Sequence, residues 1–458
     1  MVFSSLPFLY LFLPAVLLLH WVVPAAFRNV LLLAANLLFY AYGEPKFLFL
    51  MLASIAVNFY SALLMERLKR GRKWLLIANI VLNLGALGWF KYAGLLTSTL
   101  QKLNSFSWLP LAEIALPVGI SFFTFQAMSY VVDVYRRDCS ATSSLLGFAT
   151  YISLFPQLIA GPIVRYSDVS EQLRHRTVTA EKFSWGVRMF SIGLAKKVLL
   201  ANSFAILWQQ VSADPSAAGT AAAWAGMIAY TLQIYFDFGG YSDMAQGLGS
   251  MLGFDFCRNF EYPYLSASVT EFWRRWHISL STWFRDYVYI PLGGSRKGTG
   301  RTVCNLLIVW MLTGFWHGAN WNFLLWGLYY GILLILEKFV FRSFLPKLPK
   351  ALCWMYTMFL VMLGWVLFAA EGLSETVDFL SVMFRETPAS TQIPLLGWLP
   401  LGIVGVLSAL PLGKRFWGKL EGKSYAPWLE MLLCLGALIL STASLVSGSY
   451  NPFLYFRF

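Results

Sequence analysis

Apolar runs of roughly 20 residues recur along the whole 458-residue chain, and this spacing constrains the fold more than any other feature. About 20 apolar residues in an α-helix cross the hydrocarbon core of a bilayer. Charged residues make up only 12% of the sequence, about half the share that is usual in soluble domains. The pattern predicts an all-α polytopic membrane protein without a soluble domain of useful size.

The apolar segments are distributed over the full length of the chain. Several are short or are interrupted by Gly and Pro, so we expect about 11 to 13 transmembrane or re-entrant helices. They predict one membrane-embedded domain over residues 1–458, with residues 449–458 as a C-terminal tail. Glu371–Arg385 has apolar residues at helical spacing opposite acids, which predicts an amphipathic helix at the membrane interface. The apolar segments are Leu6–Pro24, Asn29–Tyr42, Phe47–Met65, Trp74–Leu96, Ile114–Val134, Leu145–Ile163, Phe183–Leu207, Ala221–Phe238, Leu306–His317, Phe323–Leu336, Ala351–Phe368, Leu395–Leu410 and Leu429–Leu445.

The basic residues predict the orientation of the chain in the membrane. The net charge is +13, but Lys and Arg lie in short clusters between apolar segments, as in the positive-inside loops of membrane proteins. Glu66–Lys73 is the clearest such loop and is expected in the cytoplasm. Counting segments from it predicts that the N-terminus and the tail, Ser449–Phe458, both lie outside. No basic stripe on a soluble face is indicated, so we expect no nucleic-acid partner.

Two of the four His lie in the stretch Glu271–Trp321, and each follows a Trp. An ionisable side chain inside a membrane segment is a hypothesis of a functional site, and neutral imidazole is the usual general base near pH 7. The alternative is that His277 and His317 cap or bridge helices through hydrogen bonds, as polar groups often do in membrane bundles. The residues alone leave both interpretations open.

Metal binding is a further interpretation of the two His. Imidazole suits zinc, but such a site usually needs three or four ligands. The five Cys are scattered and form no Cys-x-x-Cys pair, which also argues against a disulfide framework. Because no third ligand is suitably placed in the sequence, we predict no metal centre. The Cys residues are Cys139, Cys257, Cys304, Cys353 and Cys434.

Several long motifs, in order along the chain, resemble the bacterial membrane-bound O-acyltransferases, most closely those of the alginate O-acetylation type. The motifs are Leu116–Gln126, Asp133–Arg136, Phe155–Ile163, Gly193–Lys197, Gln233–Asp243 and Trp273–Gly294. The resemblance implies helices around a central tunnel, with His317 as the catalytic residue and His277 as a second important His. Tyr330 departs from the pattern, because many relatives carry His at that position.

The resemblance implies acyl transfer from a thioester to a hydroxyl. That reaction needs a base for the hydroxyl proton, a donor to the tetrahedral oxyanion and a site without water. We expect His317 to be the base, with Trp316 and Trp321 in a dry wall around it. Asn320, His277 or a backbone N–H is expected to stabilise the oxyanion, and the sequence does not choose among them.

Other residues of the motifs are candidates for contact with the donor or for the tunnel wall. Asp237 and Asp243 are interpreted as orienting a His or, as we prefer, as linking helices around the tunnel. Lys196 and Lys197 end a short apolar run and are expected to extend to the cytoplasmic interface. The remaining candidates are Trp276, Ser281, Arg274 and Arg275, of which the two Arg are expected on the cytoplasmic side.

The function that the resemblance implies is transfer of an acetyl group across a bacterial cytoplasmic membrane. The donor would be a cytoplasmic thioester, acetyl-CoA, used as substrate with no bound cofactor. The acceptor chemistry would be O-acetylation of an exopolysaccharide or cell-wall polymer, completed by a separate extracytoplasmic transferase of the SGNH-hydrolase type. The alternatives are D-alanyl transfer to teichoic acid and, outside the enzymes, a transporter of polysaccharide or lipid.

The tail Phe453–Phe458 has the form Phe-x-Tyr-x-x-Phe. It is similar to the C-terminal motif of the small membrane partner in the D-alanylation system, whose Tyr is implicated in carrying the acyl group. The similarity implies that Tyr455 accepts the acyl group near His317 and passes it to the external transferase. The alternative is an aromatic anchor at the membrane interface, where Tyr is common.

Overall fold

The structure, a computed structural model, describes residues 1–101, 114–448 and 453–454. All regular secondary structure in these ranges is helical, which confirms the predicted all-α class. Seven of the described helices are long and apolar enough to cross a membrane, or eight if one pair bent by 62° counts as a single span. That number is lower than the predicted total of about 11 to 13, which included re-entrant helices.

The described residues form twenty α-helices. In chain order they are α1 (Leu13–Val22), α2 (Arg28–Gly43), α3 (Leu48–Arg67), α4 (Arg72–Gln101), α5 (Ile120–Arg136), α6 (Leu145–Ser153), α7 (Phe155–Leu158), α8 (Tyr166–Arg174), α9 (Ala180–Ala195), α10 (Asn202–Ser212), α11 (Pro215–Met251), α12 (Val269–Arg275), α13 (Ile278–Phe284), α14 (Thr299–His317), α15 (Trp321–Phe339), α16 (Lys350–Ala369), α17 (Leu373–Phe384), α18 (Leu395–Ser408), α19 (Leu412–Leu420) and α20 (Ala426–Val446). Turns of π-helix occur at Phe8–Phe12, Lys196–Ala201 and Arg285–Tyr289.

Short helices explain part of the difference between predicted and observed spans. The segment expected from Ile114 becomes helical only at Ile120, so α5 has 17 residues. The segment Leu145–Ile163 is divided at Leu154, after which Pro156 lies in the first turn of α7, a position that suits Pro. The predicted amphipathic helix is present as α17, which buries Phe379, Val382 and Met383.

Contacts within the chain group it into two compact units. The first unit combines Met1–Phe190 with Asp243–Cys257, and the second combines Ser191–Ser242 with Arg258–Phe458. In the first unit, Phe12 and Phe39 pack on Phe155 with ring centroids 5.3 and 5.5 Å away. Asn58 of α3 and Asn83 of α4 exchange two amide hydrogen bonds of 3.1 and 3.0 Å, a type of polar link that helices form in membranes.

In the second unit, α14 and α15 pack with their backbones in contact at two glycines. A Cβ atom at Gly314 would collide with the backbone oxygen of Phe323, and one at Gly327 would collide with that of Trp310. Only glycine allows helices to approach this closely. Because the two helices are joined by three residues, this packing holds His317, the last residue of α14, against the start of α15.

The helices α12 and α13 have seven residues each, which is too short to span a membrane. The carboxylate of Glu337 on α15 fixes the start of α12, because it accepts the backbone N–H groups of Val269 and Thr270 at 2.7 and 2.8 Å. A carboxylate at a helix N-terminus also complements the helix dipole. The junction of the two short helices carries Trp276 and His277 into the interior of the unit.

Candidate active site

A partly enclosed cavity lies inside the second unit. Only two of its lining residues, Asp237 and His317, have ionisable side chains. The others are Ile234, Phe238, Trp276, Trp326, Trp365, Phe368 and Leu454. A mostly apolar cavity with a few convergent polar groups is the usual form of a small-molecule site.

His317 is 6% exposed and is enclosed by aromatic rings. Its ring centroid lies 5.0 Å from that of Trp326, 5.3 Å from Phe368 and 5.0 Å from the adjacent Trp316. All three contacts are edge-to-face, the arrangement that aromatic quadrupoles favour. The rings pack on the imidazole from several sides and make its surroundings largely apolar.

His277 has surroundings of a different kind, built from hydrogen bonds. Its Nδ1 lies 3.0 Å from Oδ1 of Asn259, a side chain that is fully buried. The same oxygen accepts bonds from the backbone N–H and the hydroxyl of Ser279 at 3.2 and 3.0 Å, while the amide nitrogen donates to Ser242. Because Oδ1 is thereby an acceptor, Nδ1 of His277 is assigned as the protonated nitrogen.

The backbone at His277 is held in the left-handed region, with φ 45° and ψ 54°. Few residues other than glycine adopt this conformation, and a surrounding network must maintain it. Asn259 supplies part of that network, since its backbone oxygen also accepts the backbone N–H of Ile278 at 3.0 Å. Burial lowers the pKa of His277 to about 3, so the imidazole is neutral at physiological pH.

The two His are brought together by Trp316. Its ring centroid lies 5.0 Å from His317 and 6.1 Å from His277. Only His317 lines the cavity, whereas His277 packs behind the wall, 4.7 Å from the cavity residue Phe238. Trp276, the neighbour of His277, reaches the cavity and packs on Trp365 at 4.9 Å.

A buried ion pair forms the polar end of the cavity. Asp237 Oδ1 lies 2.7 Å from Nζ of Lys197, and the two side chains are 3% and 4% exposed. The same Nζ donates to Oδ1 of Asn202 at 2.8 Å. The expectation that Lys197 extends to the membrane interface is therefore wrong. The π-helical turn Lys196–Ala201 directs this side chain inward, where the carboxylate of α11 neutralises its charge.

Part of the C-terminal tail enters the same cavity. The backbone N–H of Leu454 donates to Oδ2 of Asp237 at 2.8 Å, and the Leu454 side chain is among the lining residues. Phe453 stacks on Tyr241 with ring centroids 4.8 Å apart. Both tail residues are 8% exposed. The candidate Tyr455 lies outside the described residues.

The aromatic candidate Trp321 and the amide candidate Asn320 are not among the residues that line the cavity. Trp321 is 51% exposed, and Phe368 forms the wall where Trp321 was expected. Asn320 caps α15, because its side-chain oxygen accepts the N–H of Asn322 at 3.2 Å, and its amide nitrogen donates to the backbone oxygen of Glu371. Both polar ends of the Asn320 side chain are therefore used to stabilise the turn between α14 and α15.

The remaining candidates have local roles in the structure. The hydroxyl of Ser281 donates to the backbone oxygen of Trp273 at 3.3 Å. Arg275 pairs with Glu271 one turn earlier at 2.6 Å, whereas Arg274 is exposed. Asp243 belongs to the first unit and is half-buried. In the described ranges, no group of three His, Cys, Asp or Glu could hold a metal ion.

Asn259 was not singled out in the sequence, and the burial of Lys197 was not expected. Asn259 lies in an ordinary-looking polar stretch, and only the fold shows that it receives both His277 and Ser279. Lys197 was noted, but its partner Asp237 is 40 positions away. A lysine in the middle of an apolar 33-residue span, Ala180–Ser212, is the signal that the sequence offers, but it does not show which way the side chain points.

Comparison with known proteins shows a match to the family described as MBOAT, membrane-bound O-acyltransferase family, over residues 31–375. The sequence is 45% identical to a probable alginate O-acetylase of Pseudomonas aeruginosa and 41% identical to one of Azotobacter vinelandii, in both cases over 100% of each chain. It is 33% identical to a peptidoglycan O-acetyltransferase of Helicobacter pylori, over 84% of this chain and 80% of that protein.

Proposed function

The chain belongs to the membrane-bound O-acyltransferase family, and from this premise we propose that it moves acetyl groups from cytoplasmic acetyl-CoA through the His317 cavity for O-acetylation of an exopolysaccharide or cell-wall polymer. The family makes it an acyltransferase. Relatives that match along most or all of the chain are named for O-acetylation of alginate and of peptidoglycan, and they support acetyl as the group and a polysaccharide as the final acceptor.

The observation that carries the proposal is the meeting of an imidazole and the tail in one apolar cavity. His317 and Leu454 line the same space, and Tyr455 is the next residue in the sequence. A phenol titrates near pH 10, so its hydroxyl is a poor nucleophile at neutral pH without a base. An imidazole in a dry wall of rings is suited to supply that base.

In the proposed first step, the hydroxyl oxygen of Tyr455 attacks the thioester carbonyl carbon while His317 takes the hydroxyl proton. The tetrahedral intermediate collapses by breaking the carbon–sulfur bond, and the proton passes from His317 to the thiolate. CoA leaves as the thiol, and Tyr455 carries an acetyl ester. In the second step, a hydroxyl oxygen of the external transferase attacks the carbonyl carbon of this ester. The bond between that carbon and the Tyr455 oxygen breaks, and the proton of the attacking hydroxyl passes to the Tyr455 oxygen. His277 acts through Trp316 by keeping His317 in place.

The proposed direction of transfer follows from the basic loops. Arg274 and Arg275 would face the cytoplasm near the donor, with Arg296 and Lys297. The N-terminus and the tail would lie on the outer face of a bacterial cytoplasmic membrane. The external partner would be a transferase of the SGNH-hydrolase type, which meets the acetylated tail and delivers the group to the polymer.

Membrane vesicles of both orientations, loaded with thioester donors of several kinds, test this function. We expect label from acetyl-CoA to reach the C-terminal peptide and then the polymer, only when the donor is on the cytoplasmic face. Tyr455→Phe keeps the aromatic ring and should end polymer acylation. Label that comes only from a D-alanyl carrier thioester would replace acetyl transfer with D-alanylation. Polymer export without any label transfer would favour a transporter.

A further inference from the structure

The buried pair of Lys197 and Asp237 has no role in the chemistry just proposed. A fully buried ion pair is rare, because desolvation of the two charges offsets most of their attraction. Lys197 is held from a second side by Asn202 at 2.8 Å. Lys197 Nζ thus lies between two acceptors, Oδ1 of Asp237 and Oδ1 of Asn202. Packing alone does not require such an arrangement.

The second oxygen of the carboxylate is used by the tail. Asp237 Oδ2 accepts the backbone N–H of Leu454 at 2.8 Å, and Tyr241 stacks on Phe453 at 4.8 Å. Asp237 and Tyr241 are four residues apart on α11, so both contacts lie on one face of the helix. Hydrogen bonds to an ionised acceptor are about twice as strong as neutral ones. The lysine pairs with Oδ1 of the carboxylate, and Oδ2 is directed at the tail.

We propose that Lys197 and Asp237 form a latch that holds the C-terminal tail in the cavity by its backbone at Leu454. The latch fixes which tail residue comes next to His317, and its opening lets the tail leave toward the outer face. Its functional meaning rests on the acyl-carrier role proposed for the tail, whereas the docking itself does not. Both latch residues are positioning residues, since neither touches the reacting atoms.

Recognition of a backbone N–H, rather than of a side chain, gives the latch a specific signature. Leu454→Pro removes the N–H donor, and Leu454→Ala keeps it while also shortening the side chain. The two variants lose similar apolar contact, so a difference between them reports on the hydrogen bond. Asp237→Asn removes the charge of the acceptor and keeps its size.

Docking is measured with p-benzoylphenylalanine at position 453 of the full-length protein in nanodiscs. Irradiation should join position 453 to the α11 peptide that contains Tyr241, as identified by mass spectrometry. We expect the cross-link yield of Leu454→Ala to stay within about twofold of the parent yield. The yield of Leu454→Pro should fall roughly tenfold, as for loss of a hydrogen bond to a charged group. The cross-link yield of Asp237→Asn should fall by a similar factor. The double variant Asp237→Asn with Leu454→Pro should fall no further than either single variant.

Equal cross-linking by Leu454→Pro and Leu454→Ala would overturn the latch. Independent, multiplying losses in the double variant would also overturn it, because damage elsewhere in the fold would then explain the Asp237→Asn effect. A separate acyl-transfer assay tests the carrier role. Leu454→Pro should lower kcat with an unchanged KM for acetyl-CoA. Normal transfer by a variant that no longer cross-links would leave the latch standing and refute the carrier role of the tail.

Discussion

His277 and His317 both lie against Trp316, yet one is surrounded by hydrogen-bond partners and the other by aromatic rings. The region of His277 consists of two short helices and a loop, joined through Asn259 and a left-handed backbone. The region of His317 consists of a close-packed helix pair and a wall of rings around a cavity. In the first region hydrogen bonds hold the backbone around His277 in place. In the second region packed helices and aromatic rings enclose the imidazole of His317.

Because of this difference, we expect His277 and His317 to have different roles. A neutral His whose Nδ1 is hydrogen-bonded to a buried amide, as in His277, has a structural role. Loss of such a hydrogen bond is expected to lower the free energy of unfolding before it affects the chemistry. An imidazole that faces a mostly apolar cavity is suited to move a proton, because the low polarity around it strengthens each charge that forms there. Substitutions in the two regions should therefore separate stability from chemistry.

The largest effect is expected from His317→Ala. Loss of a general base typically lowers the rate by about a hundred- to ten-thousand-fold, while the level of folded protein in the membrane stays near normal. Acetyl transfer per molecule of protein, in vesicles, is the measurement. His175→Ala is the matched control, because His175 is exposed in the first unit. Near-normal transfer by His317→Ala would refute its role as the base.

The second largest effect is expected from a substitution in α15 that shifts His317 and leaves the histidine itself unchanged. Gly327→Leu places side-chain atoms against the backbone of Trp310 and should separate α14 from α15. Overpacking of this kind costs about 1–3 kcal/mol or more, so activity and thermal stability should fall together. Gly331→Ala is the control one turn later, where a Cβ meets only side chains at 3.2 and 3.4 Å. If both variants have parental stability, the close packing of the hairpin is not required.

A smaller loss is expected in the hydrogen-bonded region. Asn259→Leu leaves the buried donors of His277 and Ser279 without their acceptor, which costs about 1–3 kcal/mol. His277→Ala should also impair activity, mainly by lowering the folded fraction. Because the two residues share one bond, the double variant should lose less stability than the sum of the two single losses. Additive losses, measured by thermal unfolding in detergent, would show that they act separately.

The smallest effect on activity is expected at the exposed basic residues. Arg274→Cys and Arg296→Cys remove surface charges, which usually change stability by less than about 0.5 kcal/mol. In a background without the exposed Cys257 and Cys304, these thiols should react with impermeant reagents only from the cytoplasmic side. Labelling from outside would invert the proposed orientation and the donor compartment with it.

Much of this arrangement could be predicted from residues close together in the sequence. The apolar segments predict the helical class, and a His at the end of an apolar run marks His317 as a candidate. Asn259 and the burial of Lys197 could not be predicted, because both depend on which faces of distant helices meet. The exposure of Trp321 was missed for a related reason. A residue at the start of a helix can point to either side, and the Asn320 cap decides which.

The tail that is proposed to carry the acetyl group offers the most direct test of the central claim that His317 activates the acceptor inside the cavity. Parent protein, His277→Ala and His317→Ala are mixed with labelled acetyl-CoA without the external transferase, quenched within one turnover, and digested. Mass spectrometry then measures acetyl-Tyr455. The account predicts the adduct in the parent, a reduced amount in His277→Ala in proportion to its folded fraction, and none above background in His317→Ala. Equal adduct in His317→Ala and the parent would contradict it.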